Sequence, residues 1–537
     1  MPESRPSSLG VSRRDVLTTG AAAAFTALSP NAAMAQTPAR YRRLSVSNPQ
    51  AARALASYKK AIRNMLNRPP SDPLNWYRNA LVHTLDCPHG NWWFLAWHRG
   101  YLGWFEQICR ELSGDPDFAI PYWDWTKEPR VPQLMFDEVL TPTAPAFIDT
   151  FANFAKQFKD VVANADYWKG GSPFNEEGQY AQLLARGLRS PDDLWFDIGS
   201  DPRPGFQMFF DRAHARGLTK DKPDFDQDTA KAVSLPMILD GLAPRDFITF
   251  ASPKTFAHSA LTGFGVLESQ PHNLVHNCVG GEFTANGQTT HAGGFMLNFL
   301  SPVDPIFFLH HANIDRLWDV WTRKQQARHY PTLPEGNDLK RWSAEPFLFF
   351  IDSKGQPATK TKAGDYAAIG DFNYDYEPGS GEEVVLAPVP ATASVQRFGA
   401  QLVAEGVASR GGSVTLPPAI LRAGADAQLF AKVTLGLPPS AHAGHLAVVV
   451  DAPGGAPLTP SNIVKLSMFG HHTLHGPVTF TVPLRAPLST LRAANRLEAN
   501  TINIRVAQAP MVMPGGTVHE QPVEPNVEVL SIVVEAH

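Results

Sequence analysis

The sequence is poor in cysteine and in charge. Its 537 residues contain 3 cysteines, and so small an odd number excludes a fold held together by disulfides. Charged residues make up 18%, below the roughly 25% of an average soluble domain, and the 43% of hydrophobic residues exclude disorder over most of the length. Lys and Arg number 47 against 51 Asp and Glu, and this balance provides no basic field for nucleic acid.

Long apolar runs are also missing, since no stretch reaches the roughly 18 consecutive apolar residues of a membrane-spanning helix. The N-terminus instead carries Arg13 and Arg14, a short apolar run over 21–28 and small residues up to Ala35. This order is typical of a twin-arginine export signal. We predict a signal peptide over 1–35 and a mature protein, periplasmic or secreted, with no membrane attachment.

Helical patterns dominate residues 48–342, within the predicted catalytic domain over 36–381. The clearest helices are predicted over 48–65, 74–85 and 92–112, with Asn48, Asn91 and Gly114 as start and stop signals. Residues 113–265 are rich in Pro, Gly and Asp and predict loops and insertions around the helical core.

The C-terminal part has a different composition. Short Val-, Thr- and Leu-rich runs, such as 447–450 and 478–482, alternate with Pro and Gly turns. They predict a separate all-β sandwich domain over 396–537. A segment rich in Pro, Ala and Val over 382–395 is the predicted linker.

Two clusters stand out among the 18 histidines. Their members are His83, His89 and His98 in the first, and His272, His276, His310 and His311 in the second. Pro271 can start a helix, so His272 and His276 would project from one face and share a metal ion. Three neutral imidazoles per ion suit copper, zinc or iron. Any one of these histidines alone would more often be a structural or surface residue, but two clusters in one helical domain favour metal binding.

A second helix start precedes the last two histidines. Asp304 and Pro305 form an N-cap and first-turn signal, and on the following helix His311 and Asp315 lie one turn apart. Asp315 is therefore predicted to orient a liganding imidazole through a hydrogen bond.

Together these motifs resemble the type-3 copper proteins: tyrosinases, catechol oxidases and haemocyanins. The resemblance rests on Cys87-x-His89-Gly90, Phe94, Trp97-His98-Arg99, Glu106, Pro121-Tyr122-Trp123-Asp124-Trp125, His272-Asn273-x-x-His276, Asp304-Pro305-x-Phe307, His311, Asp315-Arg316 and Tyr374-Asp375-Tyr376. It implies a mainly α fold: a four-helix-bundle dicopper catalytic domain followed by a C-terminal all-β sandwich domain.

The resemblance also implies the ligands of two copper ions. They are His83, His89 and His98 for the first ion, and His272, His276 and His311 for the second. His83 is the candidate because it is the nearest upstream histidine, although it stands closer to His89 than in many relatives. His310 would be a neighbour of His311 that points elsewhere on the helix.

Cys87 stands two residues before His89, as in fungal and molluscan members where a thioether joins the two side chains. The resemblance implies the same Cys87–His89 bond, and a free buried cysteine is the alternative. Whether Cys109 and Cys278 pair is left open by the sequence.

The implied activity is the oxidation of small phenols by O2, through ortho-hydroxylation of monophenols and oxidation of o-diphenols to o-quinones. A phenol has a pKa near about 10, so the reaction needs help with proton removal. Glu268 and Asn273 resemble a pair that in tyrosinases holds a water able to take that proton. The alternative is that Glu268 is a first-turn helix charge and Asn273 a solvated residue. Neither nucleic acid nor a membrane is an expected partner, and a homo-oligomer is left open.

Two further positions follow from the resemblance. Phe299 or Asn298 occupies the region of a gate residue over the second copper. The β domain resembles a C-terminal domain that covers the copper site until proteolysis or another trigger removes it, so the chain would be a zymogen. Phe469 or Met468 is the expected side chain inserted where substrate would sit.

Three alternative functions use the same histidines. A catechol oxidase without monophenolase activity would be unaffected by Asn273→Gly. A haemocyanin-like oxygen carrier usually repeats its copper units, whereas this exported chain has one. A dizinc hydrolase would need bridging carboxylates, and the six proposed ligands include none.

Overall fold

The structure is a computed structural model, and the first residue that it describes is residue 39. The described residues are 39–168, 178–199, 212–285, 288–291, 294–387, 394–405, 408–422, 428–438, 446–453, 460–469, 476–497, 500–508, 511–512, 518–519 and 527–537. The predicted signal peptide over 1–35 lies outside them. In these ranges no helix combines the length and the apolar character that crossing a membrane requires.

The described helices lie mostly in the first part of the chain and confirm the predicted mainly α character. In chain order they are α1 (Ala51–Leu66), α2 (Trp76–Asp86), α3 (Phe94–Ser113), α4 (Phe151–Ala163), α5 (Gln179–Ala185), α6 (Pro191–Gly199), α7 (Gln227–Ala232), α8 (Leu235–Leu242), α9 (Phe247–Phe250), α10 (Asn273–Gly280), α11 (Ile306–Ala327), α12 (Gly336–Ala344), α13 (Glu383–Leu386), α14 (Pro418–Arg422) and α15 (Arg485–Ala493).

The first three helices begin about two residues later than predicted. Asn48 does not cap α1 directly; its side chain accepts a hydrogen bond from Gln50 N at 2.9 Å, in the turn before the helix. Asn75 caps α2, because its side chain accepts from the backbone of the first turn. Gly114 ends α3 in the left-handed region with φ 68°, as predicted.

Four buried helices, α2, α3, α10 and α11, carry histidines of the two clusters. Aromatic side chains fill the space between them; the rings of Phe105 on α3 and Phe308 on α11 stack at 3.6 Å between centroids. Trp76 on α2 lies 5.9 Å from the same Phe308 ring. This rigid apolar core fixes the positions of the polar groups embedded in it.

The segment before α10 differs from the prediction. Glu268–His272 form a π-helical turn that runs directly into α10, so Pro271 lies inside a helix rather than starting one. His272 and His276 nevertheless lie on one face, with ring centroids 4.6 Å apart. Such π turns are frequent at functional sites, where an extra residue in the turn redirects side chains.

The described strands dominate the second part, although some lie in the first. In chain order they are β1 (Tyr41–Arg43), β2 (Gly263–Phe264), β3 (Glu282–Ala285), β4 (Gln288–His291), β5 (Tyr374–Tyr376), β6 (Gln396–Gly399), β7 (Gln401–Glu405), β8 (Ala408–Thr415), β9 (Leu429–Gly436), β10 (Leu446–Asp451), β11 (Ile463–Lys465), β12 (Val478–Pro483), β13 (Thr501–Gln508), β14 (Met511–Val512), β15 (Val518–His519) and β16 (Glu528–Ala536). Two five-stranded sheets, ordered β11-β10-β13-β8-β7 and β2-β12-β9-β16-β6, enclose an apolar core as the predicted sandwich.

One strand of the sandwich comes from the helical part. Strand β2 pairs in parallel with β12, with Gly263 opposite Thr479 and Phe264 opposite Phe480. A Cβ on Gly263 would collide with the Thr479 carbonyl, and its φ of 153° is one that other residues rarely adopt, so glycine is required here. Residues Ala39–His537 accordingly form one compact unit.

The predicted linker over 382–395 is helical at its start. It contains α13, and Glu382 just before that helix forms an ion pair with Arg323 at 2.9 Å. Residues 388–393 lie outside the described part of the chain.

Candidate metal centre

The first histidine group gathers residues from two helices and the loop between them. His83 lies on α2, His98 on α3, and Cys87 and His89 precede α3. The ring centroids of His83 and His89 are 5.1 Å apart, and those of His89 and His98 are 5.3 Å apart. One ligand atom from each of the four residues falls within 4.8 Å of the others. The structure therefore brings His83 together with the other two histidines of the first cluster.

The second group contains four histidines from α10, the π turn and α11. They are His272, His276, His310 and His311, all fully buried, and their ligand atoms also fall within 4.8 Å of one another. The Nε2 atoms of His276 and His311 approach to 3.0 Å. The expectation that His310 points elsewhere is wrong, because its ring centroid lies 4.8 Å from that of His276 and 5.4 Å from that of His272.

The hydrogen bond of His310 decides its role within the group. Trp125 Nε1 donates to His310 Nδ1 at 3.0 Å, and an indole N–H can only donate. A neutral His310 ring therefore carries its proton on Nε2, the atom that faces the other imidazoles, and has no lone pair there for a metal. His311, which stands four residues before Asp315, therefore remains the predicted metal ligand on α11.

The two groups adjoin each other. The rings of His98 and His311 stack at 4.0 Å with 8° between their planes, and those of His89 and His272 lie 5.7 Å apart. Two ions, one held by each group, would therefore be immediate neighbours.

Backbone carbonyls orient three of the six candidate ligands. Nδ1 donates from His83 to Phe299 O at 2.8 Å, from His98 to Phe94 O at 2.8 Å and from His276 to Met296 O at 2.9 Å. Because a carbonyl only accepts, the proton is on Nδ1 and the lone pair is on Nε2, as metal binding requires.

Asp315 does not orient an imidazole, contrary to the prediction. Its Oδ1 accepts from Arg99 at 2.6 Å, and its Oδ2 accepts from Arg43 at 3.2 Å, Tyr374 at 2.5 Å and Tyr376 at 2.6 Å. Burial disfavours the charged carboxylate, but Arg99 and Arg43 outweigh burial and lower the pKa of Asp315. The carboxylate stabilises two buried guanidinium charges more strongly than it would stabilise a neutral imidazole. Asp315 thereby connects α3, α11 and the segment of β5.

The imidazoles are neutral and carry unused nitrogens. Burial lowers the pKa of His98 to about 3 and lowers those of His83, His272, His276 and His311 well below the ordinary value. Within the described residues, His83 Nε2, His272 Nε2 and His311 Nδ1 have no hydrogen-bond partner although they are buried. Buried lone pairs on neutral imidazoles fit copper, and neither group contains the carboxylate that a bridged zinc pair needs.

Cys87 faces the ring edge of His89. Its Sγ lies 3.4 Å from Nδ1 and 3.8 Å from Nε2 of that ring, and Cε1 is the atom bonded to both nitrogens. Burial raises the pKa of the Cys87 thiol, so it is protonated. Cys109 and Cys278 are both free and buried, which answers the pairing question left open by the sequence.

Glu268 is buried beside the first group. Gly90 N donates to its Oε1 at 2.8 Å, and the Ser252 hydroxyl bonds to its Oε2. Burial raises the pKa of Glu268 to about 8, partly offset by these two hydrogen bonds. Glu268 is thus neither a solvated nor a purely helical charge, and it carries a proton for much of its time at neutral pH.

Asn273 links the second group to the β sandwich. Its Oδ1 accepts from His272 Nδ1 at 2.8 Å, and its Nδ2 donates to Ser467 O at 2.9 Å. Asn277 Nδ2 donates to Ser467 Oγ at 2.9 Å and to Met468 O at 3.1 Å. Asn277 was not predicted as a site residue, although it directly follows His276 as Asn273 directly follows His272.

Phe469 occupies the space between the two groups. Its fully buried ring lies 4.1 Å from the His276 ring and 4.8 Å from the His89 ring. Met468 is also buried but packs in the core of the sandwich. Of the two expected side chains, the structure places Phe469 at the histidines.

Phe299, rather than Asn298, presents its side chain to the centre. Its ring lies 5.5 Å from His89 and 5.9 Å from His83, beside the first group rather than over the second. Asn298 Oδ1 instead accepts from Leu300 N at 2.8 Å in a local turn.

Comparisons with known proteins agree with this geometry. Residues 57–324 match the family model of the common central domain of tyrosinase. A chloroplastic polyphenol oxidase of Spinacia oleracea is 26% identical over 320 residues, 56% of this chain and 42% of that protein. A tyrosinase of Hahella sp. is 26% identical over 337 residues, 56% of each chain. The chain thus spans about half the length of the curated relatives it matches.

A solved structure extends the likeness to the β sandwich. Latent apple tyrosinase resembles this chain with a TM-score of 0.51 at 18% identity, over 92% of this chain and 98% of that one. At this identity the match shows the fold, a helical core followed by a sheet region. Together with the family model and the two buried histidine groups, these findings show that the chain belongs to the tyrosinase and polyphenol oxidase family of type-3 copper proteins, whose centre holds two copper ions.

Proposed function

We propose that this protein is a phenol oxidase, which uses O2 to hydroxylate monophenols and to oxidise o-diphenols to o-quinones. The observation that carries the proposal is the pair of adjoining, buried, carboxylate-free histidine groups. We assign His83, His89 and His98 to one copper ion and His272, His276 and His311 to the other. The copper pair, when bound, supplies the electron transfer between phenol and O2 that no side chain provides.

The chain's own residues would handle the proton of the phenol. We assign Glu268 and Asn273 to hold the water that accepts it. In the structure the Asn273 amide is occupied by Ser467 O, and the Glu268 carboxyl is fixed by Gly90 and Ser252. Departure of the 466–469 segment would free the amide for a water while the carboxyl stays in place, which supports monophenolase activity in the opened form.

The structure supports a closed zymogen. The Phe469 ring stands between His89 and His276, where a phenol ring would have to sit, and Phe299 lies beside it at 6.0 Å between centroids. We assign Phe469 as the inhibitory side chain and Phe299 as the gate residue. Substrate would then reach the centre only after the segment moves.

Two covalent and cellular features belong to the same proposal. We assign a thioether between Cys87 Sγ and the His89 ring, which is supported by the distances of 3.4 Å and 3.8 Å from Sγ to the two ring nitrogens. Its formation removes the thiol hydrogen and a ring hydrogen as two protons and two electrons, and O2 is the oxidant that accepts them. Twin-arginine export of the folded protein remains the prediction for residues 1–35.

The test is O2 uptake and quinone absorbance of the copper-loaded chain with a monophenol and with a catechol, before and after limited proteolysis near 382–395. Quinone from both substrates is expected, with a higher rate after cleavage. Quinone from the catechol alone would mark a catechol oxidase and remove the role of Glu268 and Asn273. A reversible oxygen-bound absorbance without turnover in either form would mark an oxygen carrier.

The variant Asn273→Gly sharpens that test in the cleaved protein. Monophenol hydroxylation should fall while catechol oxidation changes little, because a catechol proton leaves more readily. Equal loss of both activities would indicate that Asn273 acts only by orienting His272.

A further inference from the structure

One charged side chain near the centre, that of Arg186, has no role in the proposed oxidation. Arg186 follows α5 and reaches from the insertion region to the loop of the first histidine group. Its Nη1 donates to Cys87 O at 2.6 Å, and its guanidinium carbon lies 5.0 Å from the centre of the Phe299 ring. Arg186 therefore stands beside the residue assigned as the gate.

Arg186 is partly buried and, among the described residues, differs from the fully buried arginines in lacking an acidic partner. Arg43 is paired with Glu106 at 2.9 Å, Arg99 with Asp315 at 2.6 Å, and Arg216 directly with Asp304. Among the described residues no carboxylate oxygen lies within 4.0 Å of Arg186. The acidic side chains nearest in effect, Asp86 and Asp197, act on it through space without a hydrogen bond.

The guanidinium of Arg186 consequently keeps N–H donors that can bind another partner. A guanidinium has five N–H donors, and the bond to the Cys87 carbonyl engages one nitrogen. Arg186 is partly exposed, yet burial of its guanidinium lowers its pKa, and the nearby acidic groups compensate this effect only in part. A carboxylate arriving from outside would supply that compensation in a two-pronged contact.

The distances place such a carboxylate within reach of a bound phenol. Phe469 marks the position of the substrate ring, its centre is 6.0 Å from that of Phe299, and Phe299 is 5.0 Å from the Arg186 guanidinium carbon, so the span is at most about 11 Å. A three-carbon acid chain para to the hydroxyl extends about 6 Å from the ring centre to its oxygens. A hydrogen bond and the C–N bond add about 4 Å.

We infer that Arg186 binds the carboxylate of the substrate, so that the enzyme prefers phenolic acids whose carboxylate ends a three-carbon chain, such as 3-(4-hydroxyphenyl)propanoate and its catechol analogue. The inference rests on the proposed function, because it names the substrate class of that same centre. Arg186 acts as a binding residue and takes no part in electron or proton transfer.

A purely structural role makes a different prediction. If Arg186 only holds the Cys87 carbonyl, and with it the first histidine group, its loss should affect every substrate alike. A matched pair of substrates separates the two roles: 3-(3,4-dihydroxyphenyl)propanoate and its methyl ester, which share ring and chain length and differ in charge.

The experiment uses the full copper-loaded chain carrying Phe469→Ala, which empties the substrate position, with and without Arg186→Gln. For the acid, kcat/KM should fall on the order of 10- to 100-fold through a higher KM, the range that a charge-assisted hydrogen bond carries. For the ester it should stay within about twofold, the accuracy to which an unperturbed contact is expected to hold. Arg186→Lys, which keeps the charge, should recover part of the preference. A parallel fall for acid and ester, or no change for the acid, would overturn the inference.

A binding measurement keeps the inference separate from the proposed function. 3-Phenylpropanoate has no hydroxyl to oxidise, and its Kd can be measured calorimetrically on the same proteins. Arg186→Gln should raise that Kd about tenfold or more, the effect of losing one ionic hydrogen bond. If the chain produced no quinone but showed this loss of binding, the oxidase proposal would fail and the Arg186 site would stand. Equal Kd values would refute the site even in an active enzyme.

Discussion

Phe469→Ala is expected to activate the uncleaved chain. The Phe469 ring is fully buried between the two histidine groups, and removal of a buried Phe side chain costs about 3–5 kcal/mol. The hydrogen bonds from Asn273 and Asn277 to the same segment remain, at about 1 kcal/mol each. A loss of about 3 kcal/mol shifts the balance between docked and open segment on the order of 100-fold.

The assay is the initial rate of quinone formation from catechol by the copper-loaded full chain. Phe469→Ala should approach the rate of the cleaved parent protein, because the docked segment no longer fills the substrate position. Met468→Ala is the matched control, because the neighbouring Met468 side chain is also buried but packs in the sandwich core. It should lower the thermal stability with a much smaller gain in rate. Similar gains for both variants, or none for Phe469→Ala, would contradict the assignment of the inhibitory side chain.

Three further predictions concern stability and assembly. Burial opposes the charge of His258, but Asp86 and Glu345 outweigh it and raise its pKa to about 10, from an ordinary value of 6.5. The stabilisation by the charged His258 is complete below pH 6.5 and is lost towards pH 10. The difference in Tm between the parent protein and His258→Gln should therefore shrink over that pH range. A constant difference in Tm would exclude the ion pairs as the cause of the stabilisation. Chelation of copper should lower Tm, and the return of copper should restore it, because the buried imidazoles lose the metal ion that they bind in the folded chain. An unchanged Tm would show that the metal is not coupled to folding. Cleavage at 388–393 should make latency concentration-dependent, with specific activity rising on dilution of the cleaved but not the intact chain, because docking is then bimolecular; equal dilution behaviour would refute docking as the source of latency.

Features governed by local signals could be predicted from the sequence. The helix ending at Gly114, the strands of the sandwich and the histidine spacing depend on neighbouring residues or on patterns that repeat along one element. The grouping of histidines from distant segments came from a family resemblance, and the structure places all six expected ligands in two adjoining groups.

Features that depend on which tertiary contacts a side chain makes could not be predicted from the sequence. Asp315 sits one turn from His311, as expected, yet its oxygens go to Arg43 and Arg99, because buried positive charges are the stronger partners. His310 turns towards the centre because Trp125, far away in sequence, donates to its ring.

The choice between Phe469 and Met468 is of the same kind. In an extended segment neighbouring side chains point to opposite sides, so the sequence shows that one of the two faces the histidines but not which. The docking of the segment against Asn277 settles the direction.

The shared strand β2 has a consequence for making a smaller, permanently active enzyme. Phe264 is fully buried in the sandwich core, with its ring 5.6 Å from Phe480, although it belongs to the helical part of the chain. A protein truncated before the sandwich would expose that ring and the unpaired backbone edge of Gly263 and Phe264 to solvent. Both features promote self-association. A soluble truncated catalyst therefore calls for a polar replacement of Phe264, whereas one built on Phe469→Ala keeps the sandwich and needs no such repair.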